Sequence, residues 1–176
     1  MKQMKYKQIF RKHRDQVFGY AYYLLRNRED AEDVTQEVFI NLWRHRNNVD
    51  QKKMEAWIMR STRNRCIDVI RKRQKPLSQV QGIDWDSLSF AAEANESPAV
   101  QLEVTETQDS VLRALYLLPE KLQSILLLHY FQDLKLSTIS EILEVNVNTI
   151  KVSLHRGRKM LKEALKEHCP DVLEGF

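Results

Sequence analysis

Glycine and proline are both scarce, four of each in 176 residues, which leaves little material for tight turns. Leu, Glu, Lys, Arg and Gln dominate instead, all good helix formers, and an all-α fold is expected. Cysteine is nearly absent. Cys66 and Cys169 stand alone, with no CxxC pair and no Cys/His cluster. That excludes a zinc site and a disulfide framework, so both are expected as reduced thiols of a cytosolic protein. Also missing is any apolar run near the roughly 20 residues of a membrane span. The opening stretch MKQMKYKQIFRKHRDQ has no apolar core of signal-peptide length. A soluble, cytoplasmic protein without direct membrane insertion is the expectation.

One sign of charge is missing from the middle of the chain. Residues 76–110 hold no Lys or Arg and 7 Asp or Glu. Residues 1–75 hold 19 Lys and Arg against 9 Asp and Glu, and residues 111–176 hold 9 against 8. The formal net charge of +4 therefore hides a basic first segment, an acidic middle and a nearly neutral end.

Helical periodicity divides the chain in the same way. Residues 6–25 recur with Ile9, Phe10, Val17, Phe18, Ala21 and Leu24 on one side. Residues 30–45 carry Ala31, Val34, Val38, Phe39 and Leu42, and residues 54–73 carry Trp57, Ile58, Cys66, Ile67 and Ile70. From Gln74 to Pro98 the pattern fails among Pro, Ser, Gly and Asn, a long connection for one compact domain. This stretch keeps Leu77, Val80, Ile83, Trp85, Leu88 and Phe90. It either docks on its own protein or orders against a partner. Periodicity resumes over 99–116, and Pro119 suits the first turn of the next helix. The expected architecture is two small helical domains, 1–75 and 99–176, joined by an acidic linker over 76–98. The second is a four-helix domain, and residues 170–176 form a tail.

The most telling stretch is LSTISEILEVNVNTIKVSLHRGRKML, residues 136–161. Ser137 is a candidate N-cap, and Ile139, Ile142 and Leu143 give a short helix one apolar face. Glu144-Val145-Asn146 breaks the pattern, and Asn146 can cap a second helix. In that helix Ile150, Leu154 and Leu161 face inward. Asn148, Thr149, Lys151, Val152 and His155 lie at or near its outward N-terminal end, followed by Arg156, Arg158, Lys159 and Lys162. This is the order of a helix-turn-helix, whose second helix enters the major groove. An ordinary helical hairpin with a solvated basic face is the alternative.

Two more helices carry chemistry. Residues 30–39 set Asp30, Glu32, Asp33 and Glu37 beside an apolar face. Clustered carboxylates can ligate a metal or move protons, but no Glu-x-x-His spacing accompanies them. They also suit a solvated helix start, or a docking face with Phe39 and Trp43 as anchors. Residues 57–73 interleave Arg60, Arg63, Arg65 and the Arg71-Lys72-Arg73 run with Asn64 and Trp57. Such a strip suits phosphates and unstacked bases, unless it is a solvated helix with Trp57 in the core.

With these residues assembled, the chain resembles an extracytoplasmic-function (ECF) RNA polymerase sigma factor of the sigma-70 type. Asp30-Ala-Glu-Asp-Val-x-Gln-Glu-Val-Phe-x-x-x-Trp43 resembles the family's region-two helix. Arg63-Asn64-x-x-Ile67-Asp68-x-x-Arg71 resembles its promoter-melting signature. Residues 118–143 resemble the first half of region four, and 146–161 its recognition helix.

The resemblance implies partners and roles. Asp30, Asp33, Gln36, Glu37, Phe39 and Trp43 would bind core RNA polymerase at the β′ clamp helices. The C-terminal domain would meet the β flap. Asn47, Asn48, Lys52, Lys53, Trp57, Arg60, Arg63, Asn64 and Arg71 would engage the -10 element of promoter DNA and hold the opened strand. Asn148, Thr149, Lys151, Val152, His155, Arg156 and Arg158 would read the -35 element. The linker would thread toward the RNA exit path, and an anti-sigma factor is an implied partner. No catalytic residue, metal, cofactor or small-molecule substrate is expected.

Two departures stand out. The family usually carries Gly in the turn, where this chain has Glu144, and often Lys-Ser-Arg where this chain has Lys151-Val152-Ser153. A stand-alone helix-turn-helix regulator is the nearest rival reading, although no heptad seam for a dimer is present. A metal-dependent helical enzyme using Asp30, Glu32, Asp33 and Glu37 is a more distant one.

Overall fold

The computed structural model describes residues 3–74 and 106–168. The linker expected over 76–98, the stretch 99–105, Cys169 and the tail lie outside the described residues. Every described element is helical: α1 Gln3–Leu25, α2 Arg28–His45, a 3-10 turn Gln51–Lys53, α3 Met54–Gln74, α4 Glu106–Tyr116, α5 Glu120–Leu126, a π turn Leu127–Phe131, α6 Leu136–Leu143 and α7 Val147–His168. By contact they group into two units. One holds α1, α2, α3 and residues 128–145, the other α4, α5 and α7.

In the first unit, only Arg26 and Asn27 separate α1 from α2. Arg26 sits in the left-handed region at φ 52°, and its N–H donates to Tyr22 O at 2.9 Å. Asn27 then caps α2, its side chain accepting from Asp30 N at 3.0 Å. Glu29 and Asp30 in the first turn of α2, and Arg44 and His45 in the last, oppose the helix macrodipole favourably. So short a connection makes α1 and α2 antiparallel neighbours. Accordingly Phe10 meets Phe39 edge-on at 4.7 Å, and Tyr6 Oη donates to Phe39 O at 2.9 Å. At the far end Arg73 of α3 donates to Leu25 O at 3.1 Å.

Between the three helices lie Val17, Tyr20, Ala21, Val34, Val38, Phe39, Leu42, Ile58, Met59 and Cys66, all nearly or fully buried. The buried Thr35 and Thr62 satisfy their hydroxyls inside their own helices, donating to Ala31 O at 2.7 Å and Ile58 O at 2.8 Å. Burial also decides the chemistry of Cys66. It pushes the thiol from an ordinary 9.0 up to about 12, so the nucleophilic thiolate is suppressed. Iodoacetamide at pH 8 is expected to leave Cys66 unmodified in the native protein and to alkylate it after denaturation, read by peptide mass spectrometry. The folded thiol keeps its proton up to about 12 while the unfolded one releases it near 9. This group therefore subtracts stability as pH rises past 9.

In the second unit Pro119 is the N-cap of α5 and offers no side-chain cap. The loop before it is held by Gln123, whose buried amide donates to Tyr116 O at 3.2 Å and Leu118 O at 2.6 Å. Leu122, Ile125 and Leu126 of α5 are buried, as are Ala114 and Leu115 of α4 and Ile150, Leu154 and Leu165 of α7. Helices α5 and α7 approach closely at Gly157. A Cβ there would stand 3.2 Å from Leu126 Cδ1, tighter than ordinary van der Waals contact.

The helix-turn-helix segment differs from expectation at its start. Lys135, not Ser137, is the N-cap of α6, with no side-chain cap bond. Ser137 lies inside the first turn and is exposed. The second cap is as expected. Asn146 Oδ1 accepts from Thr149 N at 2.8 Å and from Thr149 Oγ1 at 3.0 Å.

Candidate polymerase and nucleic-acid interfaces

Helix α2 divides cleanly at about 100° per residue. Ala31, Val34, Thr35, Val38, Phe39 and Leu42 are buried. Asp33, Gln36, Glu37, Ile40, Trp43 and Arg44 are exposed and occupy about a third of a turn on the other side. Phe39 therefore faces the core at 2% exposure and is withdrawn as a docking anchor. One residue on, Ile40 is 49% exposed and lies in the exposed strip. Two of the expected acids are engaged within the domain. Asp30 pairs with Arg73, and Glu37 pairs with Arg65 at 3.2 Å. At the end of the exposed strip, Trp43 meets the Tyr6 ring at 4.9 Å. The Arg46 guanidinium lies 4.2 Å over the Trp43 ring, which fixes its orientation.

Beyond α2 the chain turns through Asn47 and Asn48, both exposed. Asp50 Oδ1 accepts from Lys52 N at 2.9 Å and caps the 3-10 turn, leaving Lys52 and Lys53 exposed. On α3, Trp57, Arg60, Asn64 and Arg71 fall within about a sixth of a turn of one another, with Arg63 at the edge. Trp57 is half-buried and Asn64 and Arg71 are exposed, so neither a purely solvated helix nor a core tryptophan describes this face. Arg60 pairs with Glu144.

Helix α7 is the most sharply divided. Ile150, Leu154, Gly157 and Leu165 are buried, with Leu161 half-buried beside them. Opposite them Asn148, Lys151, Val152, His155, Lys159 and Lys162 are exposed and share one strip, with Arg156 and Arg158 on its flanks. Thr149 is half-buried and committed to the Asn146 cap. The strip starts with small and polar side chains and ends in cations. It can lay short side chains on base edges near its N-terminus while the cations meet phosphate.

Residues 9–75 match the family Sigma-70 region 2, and residues 108–161 match Sigma-70, region 4. The ECF RNA polymerase sigma factor SigW of Bacillus subtilis is 31% identical over 164 residues, covering 88% of this chain and 86% of that protein. This chain is an ECF sigma factor of the sigma-70 family. SigM of the same bacterium is 28% identical over 156 residues, covering 88% of this sigma factor and 91% of SigM. Two solved structures share the fold. CnrH, solved with the cytosolic domain of CnrY, superimposes with a TM-score of 0.71 at 18% identity, over 94% of this chain and 90% of CnrH. RpoE of Bartonella quintana, solved with the anti-sigma factor NepR, gives 0.69 at 21%, over 92% and 97%. Most of α1 and all of α2 and α3 thus fall in the region 2 match, and most of α4, all of α5 and α6 and the first part of α7 in the region 4 match. As a sigma factor of this group, the protein directs transcription initiation.

The sequence reading of this sigma factor missed Ile40 as a surface residue of α2, while Lys159 and Lys162 are exposed as expected. For Ile40 the signal was available: it breaks the spacing of Ala31, Val34, Val38 and Leu42. The turn residue Glu144 adopts the left-handed conformation, φ 56° and ψ 35°, and Val145 N donates to Ser140 O at 3.3 Å. An L-residue there costs about 1–2 kcal/mol, whereas glycine loses about 0.5–1 kcal/mol more chain entropy on folding. The Arg60 pair adds little, since its side chains are 42% and 66% exposed. Glu144→Gly is therefore expected to stabilise by about 0.5 kcal/mol, and Glu144→Val to destabilise by about 1 kcal/mol. Urea titration compares both with the wild type.

Proposed function

We propose that this sigma factor binds core RNA polymerase and selects promoters through two separate DNA-contacting faces. The exposed strip of α2, Asp33, Gln36, Ile40 and Trp43, docks on the β′ clamp helices, with Asp30 and Glu37 bracing α2 against α3. Asn47, Asn48, Lys52 and Lys53 together with Trp57, Arg60, Arg63, Asn64 and Arg71 engage the -10 element. Trp57 and the arginine planes stack unpaired bases, so captured bases offset the stacking lost on melting. The strip of α7, Asn148, Lys151, Val152, His155, Arg156 and Arg158, reads the -35 element, and Thr149 holds its cap. The functional domains are 1–75 and 99–176, and the second also meets the β flap. The protein acts in the cytoplasm and performs no catalysis of its own.

The observation that carries this reading is the division of α7. A buried apolar side lies opposite an exposed strip running from Asn148 to Lys162, all of it but Lys162 within the region 4 match. An anti-sigma factor is a further proposed partner, supported by RpoE of Bartonella quintana, which shares the fold and was solved with the anti-sigma factor NepR. The test is run-off transcription on a genomic promoter library with core polymerase, with and without this protein. Discrete start sites that need both proteins, with shared elements near -35 and -10, are the expected result. Tight, sequence-specific binding to a palindrome by a dimer of the free protein, with no start sites, would replace this reading with that of a stand-alone regulator.

A further inference from the structure

Val152 is the most exposed large hydrophobic side chain among the described residues, at 69%. It does not lie on a rim or in a loop. It is the sixth residue of α7, in the middle of the exposed strip, one turn after Asn148 and one turn before His155 and Arg156. The strip's other members bring hydrogen-bond groups or charge. Val152 brings only two methyl groups on a short, stiff stem. Nothing in α7 calls for valine at this place, since β-branching lowers helix propensity and no apolar residue of the buried side is near it.

In the major groove each base pair shows a pattern of donors, acceptors and, for thymine alone, a methyl group. A side chain without polar atoms cannot satisfy the N7, O6, N6 or N4 positions. Set against guanine or cytosine, it would strip water from polar edges without replacing the bonds. The one base-edge feature it matches is the thymine 5-methyl. Its short reach also requires that the N-terminal half of α7 sit deep in the groove, as recognition helices dock. Lys151, its neighbour in the chain, is long enough to reach phosphate from the same depth.

We propose that Val152 is a specificity-determining residue that reads one thymine of the -35 element through its 5-methyl group. This rests on the reading of α7 as the -35 helix. The test uses holoenzyme reconstituted from core polymerase and the full chain, on a promoter mapped by run-off transcription. Each thymine of the -35 element, on either strand, is replaced singly by deoxyuridine, which removes the methyl and nothing else. One replacement is expected to lower promoter occupancy about four-fold, the worth of one buried methyl-sized group. Val152→Ala holoenzyme is expected to bind the unmodified promoter several-fold more weakly and to be indifferent to that same replacement. Val152→Thr, which keeps one methyl at the same volume, should restore part of the sensitivity. Lys151→Ala should weaken all templates alike and keep the uridine ratio of the wild type. The proposal is overturned if no single deoxyuridine changes wild-type occupancy, or if the effect persists unchanged in Val152→Ala. Failure of the underlying reading looks different: substitutions along the α7 strip would then leave -35 selectivity unchanged altogether.

Discussion

Ile40→Asp is expected to abolish binding to core polymerase while the protein stays folded. Ile40 stands 49% exposed in the middle of the α2 strip, between Gln36 and Trp43. A carboxylate there removes the apolar centre of the docking face and adds a charge that must be desolvated. Truncations at the centre of an interface cost about 2–4 kcal/mol, and an introduced charge lies at the upper end, so affinity should fall at least about 100-fold. Stability should move by no more than about 0.5 kcal/mol, because the site is on the surface. Its neighbour gives the opposite result. Phe39 is 2% exposed and packed edge-on against Phe10, so Phe39→Ala should destabilise the domain by about 3–5 kcal/mol. Fluorescence anisotropy with labelled protein and core polymerase, paired with urea titration, separates the two. Unchanged affinity for Ile40→Asp would remove α2 from the polymerase interface.

Gly157→Val is expected to be the most damaging change in the α5–α7 contact. The missing Cβ of Gly157 would lie 3.2 to 3.5 Å from Cδ1, Cγ and Cδ2 of Leu126. Leu126 is 2% exposed and has no solvent to move into. Alanine at this place gains about 1 kcal/mol of helix propensity over glycine and loses much of it to the small shift Leu126 must make, so Gly157→Ala should be near neutral. Valine adds two methyl groups to the same gap, and overpacking of this kind costs about 1–3 kcal/mol. Hydrogen exchange should show protection lost in both α5 and α7, while α1, α2 and α3 keep theirs. Equal loss throughout the chain would mean that the second unit does not unfold on its own.

Much of this was legible in the sequence, and the misses have physical causes. The inner and outer faces of α7 follow from period 3.6, because Ile150, Leu154 and Leu161 recur on one side and, apart from Val152 and Met160, the residues between them are polar or glycine. Asn146 declares itself as a cap for the same reason. In α2, Val38, Phe39 and Ile40 are three apolar residues in succession. Composition gives no phase there, and only the flanking Ala31, Val34 and Leu42 reveal which two turn inward. Ser137 looked like a cap because serine favours that position, yet α6 begins two residues earlier than such a cap implies, behind Lys135. The π turn over Leu127–Phe131 has no signature in a run that is apolar except for His129. The pairing of Glu37 with Arg65 and Asp30 with Arg73 depends on tertiary packing, and no local pattern announces it.

Those two ion pairs bear on how the protein responds to salt. Each lysine or arginine that meets DNA phosphate displaces a condensed cation, and the count sets the slope of log affinity against log salt. Arg65 and Arg73 already hold a carboxylate of their own domain. While they hold it they do not meet phosphate, and they release no cation from the DNA. The promoter complex should therefore tolerate rising ionic strength better than a tally of basic residues in α3 suggests.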